Sequence, residues 1–454
     1  MVKIPTKLED LLPPAALGKI LEVLNQPALS GAVREALHRV GIKDASPVEQ
    51  VQEAWQQARD WVGQLANRMV SPVQANPQLI NATGELARAE WQGFPMAPSV
   101  AEAYGIQAVN FHSASRLEEA ALHATVKLLQ VDDALFTNSL ATAMQLIQGS
   151  FKSCAVSRAD TVRIPGFGDM GAMLTYGGQH IHEVGATNGA TEEDWSRTIT
   201  SAEQAILLVS PNSLSASDAD QQRLAALKVA KATGAAVIEL LVDGVCVANT
   251  PEYAFPFPVA QERLHSGATV VVLPLDGFLG GPAGACIAGN GKLIKMLRHS
   301  VSAQGWGLRG ASLSGATAAL ERAAAAGTAL DTGVLDLVRS NIANLRDRAK
   351  RLALQVTNSE HVVAAEILER VIPLGPSPWN RYNGPSVAIS MTPRKDTASL
   401  MAALQNGERG PSILCVASGD KVLVDLRFVL PRDDHQIVKT LSGIQPPNSA
   451  PQPT

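Results

Sequence analysis

Val270-Val-Val-Leu-Pro-Leu-Asp-Gly-Phe-Leu-Gly-Gly-Pro-Ala-Gly-Ala-Cys286 decides how the rest of the chain is read. The apolar run from Val270 to Leu275 predicts a buried strand. Asp276-Gly277 and Gly280-Gly281-Pro282 predict a tight turn, and Ala285 to Ala288 a second short strand. In α/β proteins a strand that ends in a glycine-dense turn is where ligands and chemistry collect, at the carboxyl ends of strands.

Composition narrows the class. The 454 residues give room for two or three domains. Hydrophobic residues make up 46% and charged residues 18%, an ordinary globular balance with material for a large core. A net charge of −4 supplies no basic field for nucleic acid or an anionic membrane. Cys154, Cys246, Cys286 and Cys415 are scattered without a CxxC pair, which predicts buried thiols and no metal site. No apolar run approaches the roughly 18–20 residues that span a bilayer. The amino terminus lacks the apolar stretch of a signal peptide. A soluble cytoplasmic protein is expected.

Outward from the opening stretch, short apolar runs alternate with helical patterns between residues 76 and 330. The runs are 155–156, 180–184, 205–209, 235–242 and 269–275; the clearest helices are 139–148 and 216–232. This alternation predicts an α/β domain with a mostly parallel sheet covered on both faces. Thr233-Gly234 supplies a helix stop. Residues 1–75 read as a helical domain. There Ser46-Pro47-Val48-Glu49 is a start signal, and an apolar stripe follows through Val51, Trp55, Ala58, Val62, Leu65 and Met69. That domain has eight Lys/Arg against eight Asp/Glu, which gives no electrostatic footprint for RNA. A long helical stretch from Ser312 to about Gln355, with Ala323–Ala326 and then Leu335 to Leu354, is expected as a connector. Residues 331–445 then read as a small α+β domain, and 446–454 as a disordered tail.

Several positions suit a ligand. Thr137, Asn138 and Ser139 end a short run where a helix begins, a place for a phosphate or simply a helix cap. Ser210 and Asn212 follow the 205–209 strand and suit an anionic substrate, or form a plain turn. Asp243 ends the next strand; it suits a protonated ring nitrogen, or an Asp-Gly turn. Arg309, among glycines, suits an anion. His180 and His182 share one face without a third ligand, and His112 and His299 stand alone. The two GxGxxG matches, at 166–171 and 305–310, lack the strand–helix setting of a dinucleotide site.

Taken in order, these segments resemble the bacterial selenocysteine synthase family, the L-seryl-tRNA(Sec) selenium transferases of the fold-type-I pyridoxal-phosphate (PLP) superfamily. Ile80-Asn-Ala-Thr-Gly84 resembles the family's INATG. Phe136-Thr-Asn-Ser-Leu-Ala-Thr142 stands where the family cradles the cofactor phosphate. Val156-Ser-Arg158 with Ile164-Pro165 resembles its SRG…FRIP region, and Glu183-Val-Gly-Ala-Thr-Asn-Gly189 its EVGTTNR. Leu279-Gly-Gly-Pro282 resembles LLGGP, and Val424-Asp-Leu-Arg-Phe-Val-Leu-Pro431 resembles LDLRTVLP. The resemblance implies a PLP-transferase-like fold with a helical amino-terminal domain, and a homo-oligomer built from dimers.

It also locates what is missing. Aligned on Gly-Gly-Pro, family SGDKLLGGP meets Pro274-Leu-Asp-Gly-Phe-Leu-Gly-Gly-Pro282, so Gly277 stands where the Schiff-base lysine is expected and Asp276 beside it. The acidic partner of the pyridine nitrogen aligns with Leu240 unless Asp243 serves. Gly189 replaces an arginine. Lys292, the nearest lysine, lies fifteen residues after Gly277. A glycine forms no imine and moves no proton. Three readings follow: a family member without Schiff-base catalysis that binds PLP non-covalently or has lost it, with a binding, scaffold or regulatory role; an enzyme of altered chemistry using Thr137–Ser139, Ser210–Ser213 and Arg309 for a small anionic ligand; and a working PLP transferase served by another lysine. The neutral amino-terminal domain argues against a tRNA substrate.

Overall fold

The computed structural model describes residues 79–88, 93–175, 181–247, 257–323, 331–376, 382–405 and 411–442. The chain divides into two units, Met1–Gln78 and Leu79–Thr454, and every described residue belongs to the second. The helices expected before residue 75 and the tail from 446 lie outside the described residues, as does His180.

In chain order the unit begins with β1 (Leu79–Asn81), α1 (Pro98–Ala108), α2 (Ala114–Leu129), β2 (Asp133–Thr137), α3 (Leu140–Gln148) and β3 (Ser153–Ser157). A two-stranded hairpin, β4 (Arg163–Ile164) and β5 (Gly168–Asp169), leads to α4 (Met170–Thr175) and β6 (Ile181–Val184). Then come α5 (Glu192–Thr198), β7 (Gln204–Ser210), α6 (Ala216–Thr233), β8 (Ala236–Leu241), α7 (Ala260–His265), β9 (Val270–Pro274) and β10 (Ala285–Gly289). The helices α8 (Gly291–Gln304), α9 (Gly310–Ala323), α10 (Val334–Val338) and α11 (Ile342–Val356) connect to β11 (Val362–Pro373) and β12 (Asn383–Pro393). The remainder is α12 (Thr397–Gln405), β13 (Ser412–Leu414), β14 (Val416–Ser418), β15 (Lys421–Asp425) and α13 (Asp434–Ser442).

Seven strands form the main sheet in the order β2-β10-β9-β8-β7-β3-β6. All neighbours are parallel except around β10, which runs antiparallel to β2 and β9. Side chains of β9 alternate between two cores. Val270 and Val272 pack with Met144 and Ile147 of α3 and with Ile294 and Leu297 of α8. Val271 and Leu273 pack on the other face with Leu128 of α2 and Leu313 and Leu320 of α9. Burial on both faces is why these strands read as uninterrupted apolar runs. Two helix ends are fixed locally. Ser139 caps α3 by accepting from the Thr142 N–H, and Gly234 ends α6 at φ +76°.

The second sheet, β11-β12-β15-β14, is antiparallel and shares a core with α11, α12 and α13. The strand β1 pairs in parallel with β13, so Ile80 and Ala82 join this core although their sequence position groups them with the main sheet.

Two expectations change. The helical connector from 312 to 355 is three helices, because the Gly333 N-cap opens α10 and the Asn341 side chain, accepting from the Ala343 N–H, opens α11. The twelve-residue strand β11 had no counterpart among the expected elements. No helix among the described residues is long and apolar enough to cross a membrane.

Candidate functional site

Three segments enclose a cavity of about 340 Å³ at the ends of β2 and β9. The first is Asn138 to Ala141, where β2 hands over to α3. The second is the β4–β5 hairpin from Arg163 to Gly168, with Met173 behind it. The third is the β9–β10 connection, through Asp276, Ala283 and Gly284. The volume lies in the range of small-molecule sites. It is more than twice the roughly 140 Å³ of the cavity beside Arg309.

The chain builds the first wall by capping. Ser139 Oγ accepts from the Thr142 N–H at 3.0 Å, and Thr142 Oγ1 donates to Asn138 Oδ1 at 2.8 Å. Thr137 is fully buried and donates its hydroxyl to the Ser139 carbonyl at 2.9 Å. These hydroxyls are engaged in holding the turn. The first residues of the helix, Leu140 and Ala141, nevertheless line the cavity, at the positive end of the helix dipole. Arg163 is exposed at the same wall, and its guanidinium makes no ion pair among the described residues. Sequence reasoning passed over Arg163. The available signal was its place directly before Ile164-Pro165.

Asp276 lies opposite in charge. Its carboxylate is part-buried, and burial pushes its pKa up. Gly93, at φ +66°, presses against it, since a β-carbon there would stand 2.7 Å from Asp276 Oδ2. The Phe94 N–H donates to the Asp276 carbonyl at 2.7 Å. Phe94 in turn meets Phe167 edge-on at 5.6 Å and Phe278 at 5.7 Å, so aromatic rings surround this part of the turn.

The other candidates are placed elsewhere. Asn212 is buried; its amide donates to Asp160 Oδ1 at 3.0 Å and to the Val209 carbonyl at 3.2 Å. Asp160 also accepts from the Val209 N–H and from Gln222 Nε2, each at 3.0 Å. This polar knot ties the ends of β3 and β7 to α6. Ser210 and Asn212 line a separate space of about 30 Å³ with Asp220, Arg223 and Glu239, room for a water rather than an organic anion. Glu239 is buried and bonded to Arg223 at 2.8 Å; desolvation nevertheless raises its pKa. Asp243 is fully buried and is not a lining residue of the 340 Å³ cavity. Arg309 is exposed and lines the cavity with Glu118 and Arg298 instead. The structure therefore brings together Asn138, Ser139 and Asp276, with Thr137 beneath them, and keeps Ser210, Asn212, Asp243 and Arg309 apart.

Gly277 is buried in the turn after β9. No lysine lines the 340 Å³ cavity among the described residues. Lys292 is exposed at the start of α8, beyond Gly289. Gly289 pairs with Val270 and Asp133, whereas Ala285, at the other end of β10, pairs with Pro274 and Thr137. Lys292 is thus a whole strand, ~14 Å or more, from the turn. Leu240 points into the core with Ile238 and Val242. Gly189 holds φ +114°, a conformation that strains any side chain.

Comparisons with known proteins agree with this architecture. Residues 102–430 match the family model described as SelA: L-seryl-tRNA selenium transferase. The L-seryl-tRNA(Sec) selenium transferase of Hyphomonas neptunium is 28% identical over 96% of this chain and 97% of its own. That of Carboxydothermus hydrogenoformans is 27% identical over 65% of this chain and 66% of its own. Among solved structures, D-glucosaminate-6-phosphate ammonia-lyase superposes with a TM-score of 0.56 at 18% identity, covering 81% of this chain and 95% of that one.

Proposed function

Because the chain belongs to the L-seryl-tRNA selenium transferase family and has the fold-type-I architecture of PLP enzymes, we propose that it holds a PLP-like phosphorylated ligand without a covalent link to a lysine. Its role is then binding or regulatory. The observation that carries this reading is the cavity wall itself: a helix N-terminus and an arginine, but no lysine among the described residues, with glycine at 277.

The residues present fit one part of the cofactor and not another. The N–H groups of Leu140 and Ala141, ahead of the capped Thr142 N–H, suit a phosphate, since they sit at the positive end of the helix dipole. Arg163 adds a cation on the same wall. When bound, PLP supplies an electron sink for carbanion chemistry. The chain's own part is to seat the phosphate, to exclude water with Phe167, Ile164 and Met173, and to hold the Asp276 carboxyl within the cavity.

The names of the relatives favour a second reading, a transferase acting on seryl-tRNA. It needs an amine from outside the wall described above, and Lys292 is at the wrong end of β10. Balanced charge over residues 1–75 also weighs against tRNA. A dimer-based homo-oligomer is part of the proposal. It is supported by the apolar surface at the α1–α2 junction, where Ile106 is 56%, Val109 82% and Phe111 107% exposed.

The test is an absorption spectrum of the purified protein with PLP, before and after borohydride, followed by peptide mass analysis. Non-covalent binding predicts cofactor absorbance that dialysis removes and no modified lysine. A lysine carrying reduced cofactor would reject the proposal in favour of the transferase.

A further inference from the structure

We propose that Asp276 is the acceptor for an ammonium group of the ligand, so that the cavity selects phosphorylated primary amines over the matching alcohols. This rests on the ligand cavity of the proposed function and names what that cavity recognises.

The cavity carries two unlike charges on different walls. Arg163 and the start of α3 are cationic in character; Asp276, on the β9–β10 connection, is anionic. Neither is neutralised by the other's kind: Arg163 has no ion pair among the described residues, and no cation there acts on the Asp276 carboxylate. A part-buried carboxylate without a counter-ion is costly to hold ionised, and a partner that brings a positive charge and N–H donors relieves that cost.

The surroundings fix the carboxylate in place. Gly93 leaves no space on one side, where even a β-carbon would come within 2.7 Å of Oδ2. Phe94, packed against Phe167 and Phe278, closes the turn behind it. Among the described residues no lysine lines the cavity wall. A small molecule that carries both a phosphate and a primary ammonium satisfies both walls at once.

Pyridoxamine 5′-phosphate and pyridoxine 5′-phosphate make the test, because they differ only in an aminomethyl against a hydroxymethyl group. Calorimetric titration of the full-length protein is expected to show the amine binding about tenfold tighter, the scale of one charge-assisted hydrogen bond. In Asp276→Asn the preference should vanish while the affinity for pyridoxine 5′-phosphate stays within about twofold. Asp276→Ser, smaller and neutral, repeats the comparison should the amide disturb the turn; near-UV circular dichroism reports on that. Equal affinities in the wild type, a preference that survives in both variants, or no binding of either compound at millimolar concentration would each overturn the inference. A borohydride-stable lysine adduct with PLP rejects the non-covalent reading alone and leaves this comparison intact.

Discussion

A β-carbon built on Gly277 would stand 3.1 Å from Cγ of Pro274 and 3.2 Å from the Pro274 carbonyl oxygen. These distances are tighter than ordinary packing, so the ring of Pro274 must give way before any side chain fits at 277. The resemblance to the family's SGDK puts its serine at Pro274 and its lysine at Gly277.

Gly277→Lys alone should therefore behave as an overpacked substitution. A loss of about 1–3 kcal/mol in urea unfolding is expected, with little borohydride-trapped PLP. Gly277→Lys combined with Pro274→Ser should recover most of that stability and trap more cofactor. Equal trapping by the single and double variants would show that Pro274 does not obstruct the position.

The Gly93 position makes a second case. Alanine there adopts φ +66° and drives its β-carbon to 2.7 Å from Asp276 Oδ2. A left-handed non-glycine residue costs about 1–2 kcal/mol by itself, and the contact adds to this. Gly93→Ala in an Asp276→Ala background should be milder by about 1 kcal/mol, a coupling that a double-mutant cycle in urea reads directly.

Asp276 also sets a pH dependence. Its folded pKa is raised by burial, so the folded state binds the proton more tightly than the unfolded chain does. The stabilisation this provides is complete below the ordinary carboxylate range and is lost as pH rises through the folded value. Asp276→Asn should match the wild type near pH 4 and exceed it in stability at pH 7. Denaturant midpoints at pH 4, 5.5 and 7 check the trend; a difference that does not grow with pH would contradict it.

On the far face of the sheet, Arg223→Met strips buried Glu239 of its 2.8 Å partner. Arg263 Nε stays 3.9 Å from the other carboxylate oxygen, so the loss should fall near the lower end of the about 3–5 kcal/mol that an uncompensated buried carboxylate costs. Replacing both, Arg223→Met with Glu239→Leu, should bring stability back to within about 1–2 kcal/mol of the wild type in thermal or urea unfolding.

What the sequence made legible follows from where side chains are buried. The strands around Val270–Pro274 are apolar on both faces, so their run is continuous and plain. The edge strand β11 was not, because Ala364, Ala365, Glu366, Leu368 and Glu369 favour helix, and the strand state comes from pairing along β12. The connector breaks at Gly333 and Asn341, single residues whose capping role depends on geometry. At the site, Ser139 was readable as a helix cap or a phosphate position, and it does cap α3. Asn212 and Arg309 were not readable in the same way: a place near a strand's end does not say toward which side the chain turns, and both line other spaces than this cavity. Arg163 sits in a two-residue strand that only the hairpin defines.

The pairing of β1 with β13 has a consequence for how the protein is made. Leu79 leaves the ribosome about 330 residues ahead of Ser412, its strand partner. At about 5–20 residues per second, Ile80 and Ala82 wait roughly 15–70 s for the core they complete. Throughout that interval the early segment is apolar and unpaired while the main sheet forms downstream of it. Synthesis that stops short of residue 412 leaves this segment permanently without its partner, exposed to chaperones and proteases.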